Sequence, residues 1–573
     1  MPGMLDLVIR NARVYDGSGG PGYLGEVGIR DGRIVAVGRV PEPGRQEIDA
    51  GGLAVAPGFI DVHTHYDAQI CWDGLAQPAL EHGVTTVVTG NCSLTVAPLK
   101  EEQRDRLCRM FRQIEDLPMA AFEEGIDWQW ESFEDWLDAV RPTLGINLAP
   151  LVGHSAIRMW VMGEDAFHRE ANADEIEAMQ AVLRDCLDAG ASGLSTSYID
   201  VDHKYKPVPS RKASHDELRA LCRTLGEAGH GVLQIVHEFY DTAHTRSRVD
   251  MLAELSLEFG IPTTLSPLFH SGRTPELVNS VMAKVQEVTD RGARVWPQVQ
   301  TRPIDINFRL RERNFMLMAL PSWFKVFNLP TKEDRLAAYR DPETRAQLVK
   351  EAMPEGDDAM LTALRRRLED AYVRGVRHER NAHLVGRRLG DIAAERGQNA
   401  AEVMIDIAVD DDLDTEFKND GLGHTDVDIV GELLAHPLVL VGASDAGAHV
   451  QAFSTNGDTG YLFSAFVRGS GRMSLEQAVR RVTFDAALAW GLRDRGLLTP
   501  GFAADVVVFD PETIDRDEEV GVEDLPGQGF RYIRRARGID TVIVNGSVAY
   551  TASGGYTDAR TGDVVTLSTP VSV

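Results

Sequence analysis

Leu53-Ala54-Val55-Ala56-Pro57-Gly58-Phe59-Ile60-Asp61-Val62-His63-Thr64-His65 is an apolar run, punctuated by Pro57-Gly58, that ends in two histidines one residue apart. Side chains two positions apart on a strand share a face, so His63 and His65 are placed to grip one metal ion from a single strand end. An isolated H-x-H is weak evidence, because most histidines are solvated or sit in the core. This pair gains weight from its place where a buried strand should emerge.

Upstream of this run the chain reads as short strands: Leu5 to Arg10, Ala12 to Tyr15, Glu26 to Arg30 and Arg33 to Val37, with Asp16-Gly17 and Asp31-Gly32 as turns. The far end has the same style, in Ala504 to Asp510 and Thr541 to Ala549. Two β segments flanking a large middle predict one small β-sandwich built from both chain termini, residues 1–56 and 491–573. Between them, across residues 57–490, strand-like runs alternate with amphipathic helical ones. The strands are Thr85 to Val88, Ile146 to Val152, Gly193 to Ser197, Gly231 to Val236, Thr263 to Leu265 and Leu438 to Val441; the helices include Ala173 to Ala189 and Ser214 to Gly229. That rhythm predicts the α/β class and a (β/α)8 TIM-type barrel. Residues 307–419 break it with charged helices such as Glu333 to Arg340 and Asp357 to Arg374, and are expected to form an inserted helical lid over the barrel mouth.

Composition narrows the function classes. The 573 residues exceed one ordinary core, and 43% hydrophobic with 25% charged residues describe a soluble globular protein. No apolar run approaches the roughly 20 residues of a membrane span, and the start lacks a secretory signal, so a cytoplasmic location is expected. Five sparse cysteines argue against a disulfide framework. The net charge of −28 and the absence of a basic run argue against nucleic acid and acidic membrane surfaces as partners. A small-molecule substrate is left, and symmetry priors allow a homo-oligomer.

Barrel enzymes place their chemistry at the C-terminal ends of the strands. Just beyond the apolar runs stand His63 and His65, Cys92 in Gly90-Asn91-Cys92, His154 after Gly153, His237-Glu238 after Ile235-Val236, and Asp445 after Gly442-Ala443-Ser444. Singly, a Cys there is usually a small buried hydrophobe and an Asp before a small residue a turn former. Together they form a mixed nitrogen, sulfur and oxygen set that suits zinc.

The matching stretches Gly58 to His65, Gly83 to Cys92, Val152 to Ser155, Gly193 to Thr196, Gly442 to Asp445 and Pro500 to Asp510 resemble the amidohydrolase superfamily, and within it the N-acyl-D-amino-acid deacylases (D-aminoacylases). The resemblance spans nearly the whole chain in the expected order, with Gly-Asn-Cys its most specific element. It implies a barrel with a β-sandwich and a zinc hydrolase. His63, His65 and Asp445 would bind one metal position, Cys92 would touch both positions in place of the carboxylated lysine of other members, and His237 would belong to the second. No lysine lies in Gly193 to Ser197. One departure stands out: the family carries a histidine directly after a serine on the sixth strand, whereas Ser266 is followed here by Pro267-Leu268-Phe269-His270. His270 is the remaining candidate, and one zinc rather than two is the expectation.

That ligand set implies zinc-activated water attacking an amide carbonyl, with Asp445 carrying the proton to the departing amine. Glu238 is expected beside the metal ligands or in solvent. His154 is a candidate for binding or orienting substrate or for anchoring a strand end, and Arg211 and Arg302 are the candidates for holding the substrate's free carboxylate. The loop after Asp445, Ala446 to Gln451, holds no arginine. The expected function is deacylation of an N-acyl (D-)amino acid or hydrolysis of a small peptide-like amide. The alternatives are a cyclic amide or lactone as substrate, as in hydantoinases, and a non-hydrolytic relative that has lost the second metal site.

Overall fold

The computed structural model describes residues 4–565 and 567, apart from 240, 273, 315 and 357–358. Two compact units emerge, the first made of Met1–Arg302, Asp426–Val450 and Ser454–Val573, the second of Pro303–Thr425 with Gln451–Phe453.

The first unit is organised around parallel strands. Phe59–Asp61, Val84–Thr89 and Asn147–Pro150 pair in that order. Val152–Gly153, Gly193–Ser197, Val232–Val236, Thr263–Ser266, Val295–Val299 and Leu440–Val441 form a second parallel series. Thr85-Thr86-Val87-Val88 explains the local choice: β-branched side chains favour the extended backbone, and the strand is buried throughout, as parallel strands covered on both faces are. Leu151 N–H donates to Thr89 O at 2.9 Å, and His65 N–H donates to Ala446 O at 2.7 Å. Helices Ala173–Ala189, His215–Ala228, Thr242–Phe259 and Pro275–Asp290 separate successive strands. The first of these starts on a reciprocal cap between Asn172 and Glu175 and stops at Gly190.

Strand Val295–Val299 does not appear in the reading of the sequence, because Pro297 is a poor fit to a central strand. Here the strand pairs with Thr263–Ser266 through Leu265 and Pro297, and its Gln298 is hydrogen-bonded to His63.

Both termini contribute to one nine-stranded sheet, joined where Ala54–Pro57 runs antiparallel to Val506–Phe509. Leu5 to Val14 is one strand with an irregularity between Ile9 and Ala12, rather than two strands. Asp31 and Gly32 both take left-handed backbone (φ 50° and 70°), which suits the tight turn between Tyr23–Arg30 and Arg33–Gly38. Leu7, Ile9, Val27, Val506, Val508 and Ile543 share one buried cluster drawn from both chain ends.

The second unit has its own core, with Trp323, Tyr339 and Phe417 fully buried. It is not purely helical: Ile306–Phe308, Glu416–Asn419 and Tyr372–Gly375 form an antiparallel sheet. Of the helix expected from Asp357 to Arg374, Asp357 and Asp358 lie outside the described residues; Ala359–Asp370 is helix, and from Tyr372 to Gly375 the chain is strand, where β-favouring Tyr372-Val373 follows the charged helical stretch. Among the described residues, no helix is long and apolar enough to cross a membrane.

Candidate metal centre

One donor atom from each of His63, His65 and Cys92 lies within 4.8 Å of the other two. The two imidazoles follow strand Phe59–Asp61, and Cys92 follows strand Val84–Thr89. The Gly-Asn-Cys turn is tied down on each side. Gly90 has φ 76°, and a Cβ there would lie 2.3 Å from Leu151 O, so only glycine fits. Gly90 N–H donates to Asp67 Oδ2 at 3.0 Å, and Asn91 Nδ2 donates to Thr64 O (3.1 Å) and Val88 O (3.0 Å), locking the ends of the first two strands together.

Asp445 joins this cluster from beyond strand Leu440–Val441. Its Oδ1 stands 3.2 Å from His63 Nε2 and 3.8 Å from His65 Nε2, and Cys92 Sγ stands 3.5 Å from His63 Nε2. Its backbone N–H donates to His63 O at 3.2 Å, and Ser444 Oγ donates to Asp61 Oδ2 at 2.7 Å, so the first and last parallel strands hold each other's functional loops.

Burial pushes His63 down to about 4 and His65 well below its ordinary value, so both rings are neutral. His63 Nδ1 donates to Gln298 Oε1 at 2.8 Å, which leaves the Nε2 lone pair facing Asp445 and Cys92. The His63 Nε2 lone pair thus faces the Asp445 carboxyl and the Cys92 thiol. Acidic groups crowd the same place. Burial, with Asp200, Asp445 and Asp116 adding to it, pushes Glu115 well up, while burial raises Asp67 to about 7 and Asp200 to about 6. Burial and the neighbouring Asp200 and Glu115 raise the Cys92 thiol. The cluster is short of positive charge, and a divalent metal ion fits that deficit.

The remaining candidates are distributed around it. His237 is fully buried; its Nδ1 donates to Ser266 O at 3.1 Å, and its Nε2 has no hydrogen-bond partner among the described residues. Neither His237 nor His270, which is also buried, belongs to the tight cluster of His63, His65 and Cys92. Glu238 takes Arg248 in a two-pronged pair at 2.8 and 3.1 Å, and that guanidinium lies over the Tyr198 ring.

His154, expected as a substrate contact, is buried with both ring nitrogens engaged, Nδ1 with Thr196 Oγ1 at 3.0 Å and Nε2 with Glu217 Oε1 at 2.8 Å. Arg211 donates to the carbonyls of Ile199 and Asp200. Arg302 pairs with Asp458 at 2.5 Å and donates to Ser444 O at 2.9 Å, which braces the loop of Asp445.

Reading the sequence missed Glu115, whose Oε1 is 3.2 Å from His65 Nδ1, and the buried His449, which acts electrostatically on Asp445. Gln234 and Gln298 were also missed, although a lone polar residue inside an otherwise apolar strand is a usable signal.

Comparison with known proteins identifies the family. The amidohydrolase family pattern matches residues 46–550. D-aminoacylase of Alcaligenes xylosoxydans xylosoxydans is 28% identical over 561 residues, covering 95% of this chain and 94% of its own length. N-acyl-D-aspartate deacylase of the same organism is 29% identical over 569 residues, covering 95% of this chain and 92% of its own. The crystal structure of N-acyl-D-glutamate deacylase from Bordetella bronchiseptica, complexed with zinc and a phosphonate mimic of the tetrahedral intermediate, superposes with a TM-score of 0.65 at 25% identity over 98% of this chain and 99% of that one. This chain belongs to the amidohydrolase family and is a metal-dependent amide hydrolase.

Proposed function

We propose that this chain is a zinc enzyme that deacylates N-acyl-D-amino acids. The observation that carries the reading is the convergence of His63, His65, Cys92 and Asp445 at one place, with the Nε2 lone pair of a neutral His63 facing Asp445 and Cys92. The similarity to D-aminoacylase, and to a deacylase complexed with zinc, supports both the metal and the substrate class.

His63, His65, Cys92 and Asp445 would hold one zinc, and His237 is the ligand available to a second position. Zinc held there supplies Lewis acidity that lowers the pKa of water to about 7 and polarises the scissile carbonyl. The protein's part is proton handling and orientation. The Asp445 carboxylate accepts the proton of the attacking water and passes it to the amine nitrogen as the C–N bond breaks, releasing a carboxylic acid and a free amino acid. Burial raises the Asp445 carboxyl, while His449 and Arg302 pull it back.

The architectural part of the proposal is that the two parallel series close into a (β/α)8 barrel, with the terminal sheet as a β-sandwich beside it. In support, Leu151 bridges the series on one side, and on the other Thr64 pairs with Ala446.

The test is metal content by plasma mass spectrometry on protein purified without chelator, followed by assays on N-acetyl-D- and N-acetyl-L-amino acids. About one zinc per chain and turnover confined to the D series are expected. A protein that refuses added zinc, or that turns over only cyclic amides, would overturn the reading.

A further inference from the structure

Gln234 and Gln298 are the polar interruptions of two buried parallel strands, Val232–Val236 and Val295–Val299, and both are fully buried. Burying an amide is costly unless each of its polar atoms is satisfied. Both glutamines meet that demand in the same way, with the amide oxygen turned to the metal centre and the amide nitrogen anchored on a hydroxyl of the strand between them, Thr263–Ser266.

The orientation of Gln298 follows from a chain of donors. Thr264 Oγ1 donates its single proton to Trp296 O at 2.7 Å, so it receives the Gln298 Nε2–H at 3.1 Å. That turns Gln298 Oε1 toward His63, where it accepts from Nδ1–H at 2.8 Å. The imidazole proton is thereby fixed on Nδ1, and the lone pair on Nε2, 3.5 Å from Cys92 Sγ and 3.2 Å from Asp445 Oδ1. At Gln234 the argument runs from the other end. Cys92 N–H is an obligate donor, so the atom it meets at 3.2 Å is Oε1, and the Nε2 on the far side donates to Ser266 Oγ at 3.0 Å. The Cys92 backbone held in this way is left-handed, with φ 54°, a conformation that a non-glycine residue keeps only where surrounding contacts impose it.

We propose that Gln298 and Gln234 are the positioning residues of the metal centre, through which strand Thr263–Ser266, with no histidine directly after Ser266, fixes the tautomer of His63 and the backbone of Cys92. The inference rests on the reading that His63 and Cys92 hold the metal. Partners that orient ligands in this way typically contribute about 10- to 100-fold to metal affinity.

The experiment measures zinc affinity by chelator competition, and the absorption of the cobalt(II)-substituted protein, for wild type, Gln298→Met, Gln298→Glu, Gln234→Met and Thr264→Val. Gln298→Met keeps the volume of the side chain and removes the acceptor, and its zinc affinity is expected to fall about 10- to 100-fold. Gln298→Glu restores an acceptor for Nδ1–H and should recover most of that loss. Gln234→Met should weaken or shift the thiolate-to-cobalt band that reports Cys92. Thr264→Val touches neither ligand and should weaken zinc in the direction of Gln298→Met, which keeps the test decisive if a glutamine variant does not fold. Wild-type affinity in Gln298→Met, or in Thr264→Val should that variant alone fold, together with an unchanged cobalt spectrum in Gln234→Met, would overturn the inference. Failure of the wild-type chain to bind zinc or cobalt would instead strike the metal reading on which it rests.

Discussion

Cys92, Ala443, Asp445 and His449, at the centre or in its loops, hold left-handed backbone without being glycine, with φ from 52° to 56°. Each costs on the order of 1–3 kcal/mol and persists only where hydrogen bonds over-determine it, as Gln234 does for Cys92 and His63 O for Asp445. Such strain keeps the carboxylate of Asp445 against the Nε2 atoms of both imidazoles. Asparagine tolerates the same backbone and has nearly the same shape, so Asp445→Asn keeps the local geometry while removing the carboxylate that would carry the proton, and leaves His63, His65 and Cys92 to hold the metal. That variant is expected to retain zinc, read by mass spectrometry, and to lose about 10²- to 10⁴-fold in kcat. Full activity would remove Asp445 from the role of proton carrier.

At the scale of elements, the ends of the strands are braced by buried ion pairs behind the site. Glu217, on helix His215–Ala228, takes His154 at 2.8 Å and also pairs with Arg158 of helix His154–Met162, while Thr196 of strand Gly193–Ser197 holds the other nitrogen of His154. Burial alone would raise the Glu217 carboxyl, but the bonds from His154 and Arg158 more than offset it, and the net shift is downward from 4.5. A carboxyl depressed in the folded state contributes stability that is complete above its unfolded value and is lost as pH falls through the lower folded value. Glu217→Gln should therefore destabilise the protein by about 3–5 kcal/mol near neutral pH. In thermal melts followed by circular dichroism, the gap between wild type and variant should hold from about pH 7 to about pH 5 and narrow below about pH 4. A gap that stays constant into acid would show that this carboxyl does not carry the effect.

The same elements show what a reader of sequence sees and misses. Strand Gly193–Ser197 and helix Ala173–Ala189 are legible because β-branching, periodicity and the Asn172 cap act over a few residues. His63, His65, Cys92 and Asp445 are legible as polar residues at the ends of apolar runs. Glu115 and Gln298 are not, since their importance comes from partners 50 and 235 positions away in the chain, His65 and His63, and local pattern carries no record of such pairing. His154 reads two ways in the sequence, as a substrate contact or as an anchor of a strand end, and the hydrogen bonds of both its nitrogens to Glu217 and Thr196 fit the anchor.

At the scale of the whole molecule, the chain divides its hydrophobic burial between separate cores. One is built around residues such as Trp136, Phe111 and Val281 in the first unit, the other around Trp323, Tyr339 and Phe417 in Pro303–Thr425. A unit with its own core can unfold as its own cooperative step, and scanning calorimetry is expected to resolve two transitions. His63, His65, Cys92 and Asp445 all belong to the first unit. A ligand that binds only the folded state stabilises by mass action, about 2.7 kcal/mol at a free concentration 100-fold above Kd. Removing zinc with a chelator should therefore lower one transition and leave the other in place, and His63→Ala should abolish that difference between the metal-loaded and stripped protein. If both transitions move together, the two units fold as one cooperative body and the metal stabilises the entire chain; if neither moves, zinc contributes nothing to the folded state and the site is not a zinc site.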